Sequence, residues 1–259
     1  MTAQSRRFGY VPALFVALVV FLAATAPAWL MASLVSSLSS GKVQLEQPEG
    51  DLWNGRAAFV NYTLPDGSQQ RLQKLSWEML ATRLLRGQLA AHLTIADTRV
   101  NVDTIAGLGL NGKFASDIQI SAPAETMSLA VPILSVWKPS GTLRISAGEV
   151  KLAPLQIVQP AVVQWNSANV SIARVPQLGD YELTISPDNN QLNLALKTSN
   201  GALVLNGAGQ YNFTSGGEFH GTGSAAAGYK EQLTPLLRLM GKTNNDGSVN
   251  LAIKLPAYQ

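Results

Sequence analysis

At 259 residues and 27.5 kDa, with a net charge of +3, the chain is long enough to bury a substantial core as one domain or two. It has no cysteine, which excludes disulfides, thiol catalysis and zinc–thiolate sites. Once Arg6 and Arg7 are set aside the charges nearly cancel, so no basic face exists to neutralise nucleic-acid phosphates, and scattered cations such as Lys151 and Arg174 read as solvated strand positions.

Taken in chain order, the first element is an uncharged stretch that begins at Phe8 and ends at Gly41. Residues 11–35 within it predict a transmembrane helix, 25 residues extending roughly 37 Å against a hydrocarbon core of about 30 Å. Arg6 and Arg7 precede it, and by the positive-inside tendency residues 1–10 form a short cytoplasmic tail. Residues 36–259 then form a β-rich domain on the far side of the membrane, which the resemblance given below implies is the periplasm. A cleaved signal peptide is the competing reading, because Ala26-Pro27-Ala28 resembles a cleavage site, but the apolar run continues through Trp29, Met31, Leu34 and Val35.

Beyond the anchor the dominant period is two. Leu192, Leu194 and Leu196 alternate with Asn193, Ala195 and Lys197, and Val249, Leu251, Ile253 and Leu255 alternate with Asn250, Ala252 and Lys254. Such runs predict half-buried antiparallel strands. Turn signals separate them at Pro65-Asp66-Gly67, Pro187 to Asn190, Gly216-Gly217 and Asn245-Asp246-Gly247. No βαβ alternation is visible, which argues against a parallel sheet. The expected fold is mainly β: a transmembrane helix, then a curved, largely antiparallel sheet with two or three short covering helices. Those helices are predicted over 76–86, 125–137 and 229–240, the last with Leu233, Leu236, Leu237 and Met240 on one face.

A Gly-x-Leu element recurs at Gly50-Asp51-Leu52, Gly87-Gln88-Leu89, Gly141-Thr142-Leu143 and Gly201-Ala202-Leu203. Each is read as starting a strand, the glycine supplying a positive φ. Further glycines at Gly55, Gly148 and Gly207 predict bulges or close backbone approaches. The intervals are too irregular for a solenoid, and no stretch carries a complete phosphate-loop or dinucleotide signature. His92 and His220 are not at ligand spacing, and no nucleophile–base motif is present. The expectation is therefore no catalytic residue, no cofactor and no metal.

The stretches "GDLWNGRA" and "LSWEML…LLRGQL", followed by "WKPSGTLRISAGEV" and "NGALVLNGAGQY", resemble the bacterial type II secretion system protein N family. The matching positions are Gly50, Trp53, Gly55, Trp77, Leu80, Leu84, Leu85, Gly87 and Leu89, with Gly141, Leu143, Gly201 and Leu203 in the second half. The resemblance implies a single-pass inner-membrane protein, accessory to export of folded proteins across the outer membrane, without catalysis. Its implied partners are other type II secretion components of the inner-membrane platform or periplasm. The competing class is a periplasmic lipid-binding or lipid-transfer protein similar to AsmA-type domains, with a lipid ligand on the apolar face of the sheet. Residues 248–255 are the candidate docking edge.

Overall fold

The computed structural model describes residues 14–15, 17–18, 21–22, 24–64, 67–130 and 132–257. Arg6, Arg7 and the Pro65-Asp66 turn signal lie outside them. The chain divides into two compact units, residues 1–97 and 98–259. Each unit is built on an antiparallel sheet, and helices are few.

The first unit pairs β1 (Val43–Gly50), β2 (Asn54–Thr63), β3 (Gln69–Met79) and β4 (Leu89–Ala96) in chain order. Its core is formed by Ala57, Val60, Leu75 and Trp77 together with Ala28 and Met31. Helix α1 (Trp29–Leu38) supplies Met31 and follows Pro27, which bridges to Asp51. The Ala28 amide donates to the Gly50 carbonyl and the Leu52 amide to that of Ala26. The second half of the expected anchor, 26–35, is thus seated on this sheet. Among the described residues no helix is long and apolar enough to cross a membrane.

The helix expected over 76–86 is corrected. Residues 75–78 pair with both β2 and β4 and Met79 with β4, so Leu75, Trp77 and Met79 follow the period of a strand. Only α2 (Ala81–Leu84) is helical, a single turn of helix followed by a tight turn through Gly87. Backbone pairing on both sides outweighs the i, i+3, i+7 pattern of Trp77, Leu80 and Leu84.

The second unit runs β5 (Asn101–Gly109), β6 (Gly112–Pro123), β7 (Ser140–Ala147), β10 (Ala161–Asn169), β11 (Gly179–Asp188), β12 (Gln191–Gly201), β13 (Leu203–Asn212), β14 (Gly216–Ala225) and β15 (Val249–Leu255) as neighbours. A small hairpin, β8 (Val150–Leu152) with β9 (Leu155–Ile157), attaches to β6. The segment expected as a helix over 125–137 is broken into a 3-10 turn (Ala124–Thr126), the one-turn helix α3 (Met127–Ala130) and a second 3-10 turn (Pro132–Val136). Proline at 132 removes a helical donor at the break. Helix α4 (Lys230–Met240) forms as its periodicity predicts, burying Leu233, Leu236 and Leu237. They join Tyr181, Leu203 and Val249 in the core of this unit. Gly216 and Gly217 belong to β14 rather than to a turn, which lies just before them.

Candidate functional site

The glycine–tryptophan motif is assembled by short-range chemistry. Gly50 closes β1 rather than starting a strand, and the Asp51 carboxylate accepts the amides of Trp53 at 2.8 Å and Asn54 at 2.6 Å. This side-chain turn reverses the chain within three residues. Gly55 then faces Trp77 across the β2–β3 pair. Trp77 is 3% exposed and donates its indole N–H to the Leu52 carbonyl at 3.2 Å.

The other Gly-x-Leu sites are dispersed. Gly87 precedes β4, with Leu89 at its start and partly exposed; Gly141 lies within β7; Gly201 closes β12, and Leu203, 3% exposed, opens β13. All four leading glycines have positive φ, from +69° at Gly87 to +153° at Gly201. Leu143 pairs with Trp165, whose indole N–H donates to the Ser140 carbonyl at 2.9 Å. Gly201 faces Gly179, and a Cβ on it would overlap the Gly179 backbone. The motif residues therefore meet their neighbours locally and do not converge on one cleft.

Left-handed residues other than glycine occur inside strands, at Gln47, Lys74, Asp117 and Ser167, a signal the sequence did not display. Beside Lys74, the Gln73 amide donates to the carboxylate of Asp97, which is 6% exposed. A buried carboxylate near a strand end carries no pattern that periodicity could have singled out.

The second unit has two chemically distinct faces. On one, Gln164 donates to Glu182, which also pairs with Lys197 at 2.8 Å, and the two contacts hold the Glu182 carboxyl below its usual range. Farther along this face a shallow trough of about 780 Å³ crosses β12 to β14, with Asn193, Gln210, Glu218 and His220 beside the small Ala195 and Ala208. His220 Nε2 lies 3.4 Å from Glu218 Oε2. The trough has amides and one imidazole–carboxylate contact but no cluster of catalytic geometry. His92 stands on β4 opposite Glu78. Among the described residues no three His, Cys, Asp or Glu side chains converge as a metal site.

The opposite face is apolar along its length. Register pairs connect Val102, Ile120, Ile145, Val163, Leu183, Leu196, Gly207, Gly221 and Leu251 in one row. A second row joins Ile118, Ala147, Ala161, Ile185, Leu194, Gly209, Phe219 and Ile253. β15 ends the sheet with β14 as its strand neighbour, and a bridge from Thr243 to Val249 covers just its first residue. The expected edge at 248–255 is a terminal strand among the described residues.

The family model for the type II secretion system (T2SS), protein N, matches residues 41–252. A Vibrio cholerae relative called type II secretion system protein N is 29% identical over 132 residues, 49% of this chain and 50% of that protein. The chain thus spans about half the length of that relative. A relative of the same name from Aeromonas hydrophila is 26% identical over 216 residues, covering 79% of this chain and 81% of that protein. No solved structure matches.

Proposed function

The chain belongs to the type II secretion system protein N family, and from that premise we propose that it is an accessory inner-membrane component that works by protein–protein contact in the export of folded proteins across the outer membrane. The carrying observation is the family match over 41–252, which takes in most of the strands of both units. The apolar residues before Ala26 provide the single anchor. Phe8 to Thr25 carry no charged residue, as a membrane span requires. Arg6 and Arg7 remain in the cytoplasm, and both strand units lie in the periplasm. The packing of Ala28 and Met31 with Ala57, Val60, Leu75 and Trp77 supports reading residues 26–38 with the periplasmic part.

The docking surface for another secretion component is the outer edge of β15, which beyond its bridge from Thr243 to Val249 has no second strand neighbour among the described residues. Deleting the gene is expected to leave export through the inner membrane intact while folded cargo accumulates in the periplasm. Normal secretion in the deletion strain would overturn this reading. A lipid ligand is the second reading, favoured by the uninterrupted apolar rows of the second unit.

A further inference from the structure

We propose that the loop joining β3 to β4, residues 80–88, lies in the interface of the lipid bilayer that holds the anchor, with Leu84 and Leu85 reaching the acyl boundary and Arg86 at the headgroup phosphates. The proposal rests on the anchor reading above and adds a second point of membrane contact to it.

The sheet register fixes where this loop stands. β2 and β3 run antiparallel with Asn54 opposite Glu78, so the turn at 51–53 and the loop at 80–88 share one end of the first sheet. The Met79 amide ties the two together by donating to the Trp53 carbonyl at 2.6 Å. The chain arrives from the anchor at the same end: Pro27 bridges to Asp51, and the Leu52 amide donates to the Ala26 carbonyl at 2.7 Å. Pro27 is two residues past Thr25, a reach of about 7 Å at full extension. The loop stands two strands farther across the sheet, about 10 Å away at the usual strand spacing. No length of linker holds this end of the sheet away from the bilayer.

The side chains and backbone suit that position. Leu85 is 91% exposed and Leu84 39%, on a loop whose backbone closes on itself. The amides of Arg83 and Gly87 donate to the carbonyls of Leu80 and Leu84, those of Arg86 and Gln88 to the Arg83 carbonyl, and that of Leu80 to Ala90. Backbone groups already paired in this way carry no desolvation cost into a water-poor boundary. Trp29, 57% exposed, follows the Ala28 amide that donates to Gly50, so it adds at this end the ring type that favours the headgroup level.

Charge selects lipid as the occupant. Arg83 and Arg86 bracket the leucine pair, Arg86 is exposed, and no Asp or Glu occurs from Met79 to Ala96. The neighbouring Asp51 carboxylate is turned back onto the amides of Trp53 and Asn54, and Glu78 stands opposite His92 on the strands. Leucines flanked by arginine match a surface that is apolar beneath and anionic above, the arginine stem lying along hydrocarbon with its guanidinium on phosphate.

The chain has no cysteine, so an introduced thiol is the only one. Full-length Leu85→Cys and Gln69→Cys, each carrying an environment-sensitive fluorophore, are reconstituted into vesicles of phosphatidylethanolamine and phosphatidylglycerol that contain a lipid with a nitroxide near the top of its acyl chain. Gln69 is exposed at the opposite end of β3, roughly 33 Å away along the strand. The expected result is quenching about fivefold stronger at Leu85 than at Gln69, reduced when Arg86→Gln is added to Leu85→Cys. Equal quenching at the two positions overturns the proposal, and undiminished quenching with Arg86→Gln overturns its headgroup half. A Leu85 label shielded from an aqueous quencher yet not reached by the lipid nitroxide would mean that a second copy of the chain covers the loop, and also overturns it. Ala17→Cys, read against a nitroxide at the chain end, reports on the anchor separately. Quenching at Leu85 without quenching at Ala17 removes the anchor and keeps the loop contact, whereas quenching at Ala17 alone keeps the anchor and removes the loop contact.

Discussion

The Trp77 ring lies directly over Gly55, filling the space a side chain there would need: a Cβ on Gly55 would overlap the ring and come within 2.9 Å of the Asp51 carbonyl. The indole N–H at the same time satisfies the Leu52 carbonyl, so one aromatic residue locks the β1–β2 turn onto β3. Substituting Gly55→Val forces the ring or the turn to move, and a loss of about 1–3 kcal/mol is expected. Denaturant unfolding of the full chain in detergent checks this. Unchanged stability with lost secretion would instead make the motif a contact surface.

Met31 tests where the anchor stops. It is 8% exposed and packs with Ala28, Ala57, Val60, Leu75 and Trp77. Met31→Ala is expected to destabilise the first unit by about 2–5 kcal/mol through the cavity it leaves. A residue facing lipid would show little change, so an unchanged unfolding midpoint would return this segment to the membrane.

The absence of cysteine makes the topology directly testable, because any introduced thiol is unique. Ser68→Cys should react with a membrane-impermeant maleimide once the outer membrane is permeabilised. Ser5→Cys should react only after the inner membrane is broken. The reverse pattern would invert the anchor, and a mature protein beginning near Trp29 would replace it with a cleaved leader.

Tyr181 gives a pH-dependent signature. Its hydroxyl donates to the Leu203 carbonyl at 2.9 Å, and burial, with a smaller contribution from the nearby Asp180 charge, pushes its pKa well above the ordinary tyrosine value. Because the folded pKa is the higher one, the stabilising contribution is complete below about pH 10 and falls as pH rises above it, by up to about 1.4 kcal/mol per pH unit. Tyr181→Phe should lower stability at pH 7 by about 1–2 kcal/mol by leaving the Leu203 carbonyl unpaired, and should remove this alkaline slope. An unchanged slope in the variant would assign the alkaline loss to another group.

Alternation made the strands of the second unit legible because a two-residue period survives wherever one face is apolar: Leu192, Leu194 and Leu196 identify β12 directly. α4 was legible for the corresponding reason at helical period. The segment at 76–86 misled because LSWEML carries both periods, and the choice between them was made by pairing to β2 and β4, which local sequence does not encode. The left-handed positions at Gln47 and Lys74 were hidden for a different reason: those residues adopt left-handed backbone without the glycine that would signal it. The apolar rows became visible only once the register joined residues from nine strands.

The order of strand pairing within each unit has a consequence for biogenesis. In the first unit each strand pairs with the one made just before it, and in the second the chain departs from that rule only around the β8–β9 hairpin. Contacts therefore close over short stretches of chain, which keeps the entropy of loop closure small and favours rapid formation. A polypeptide whose strands become available in chain order, from β1 onward, can lay down each one on a finished template. Assembly then advances toward β15, the strand that completes the second sheet last.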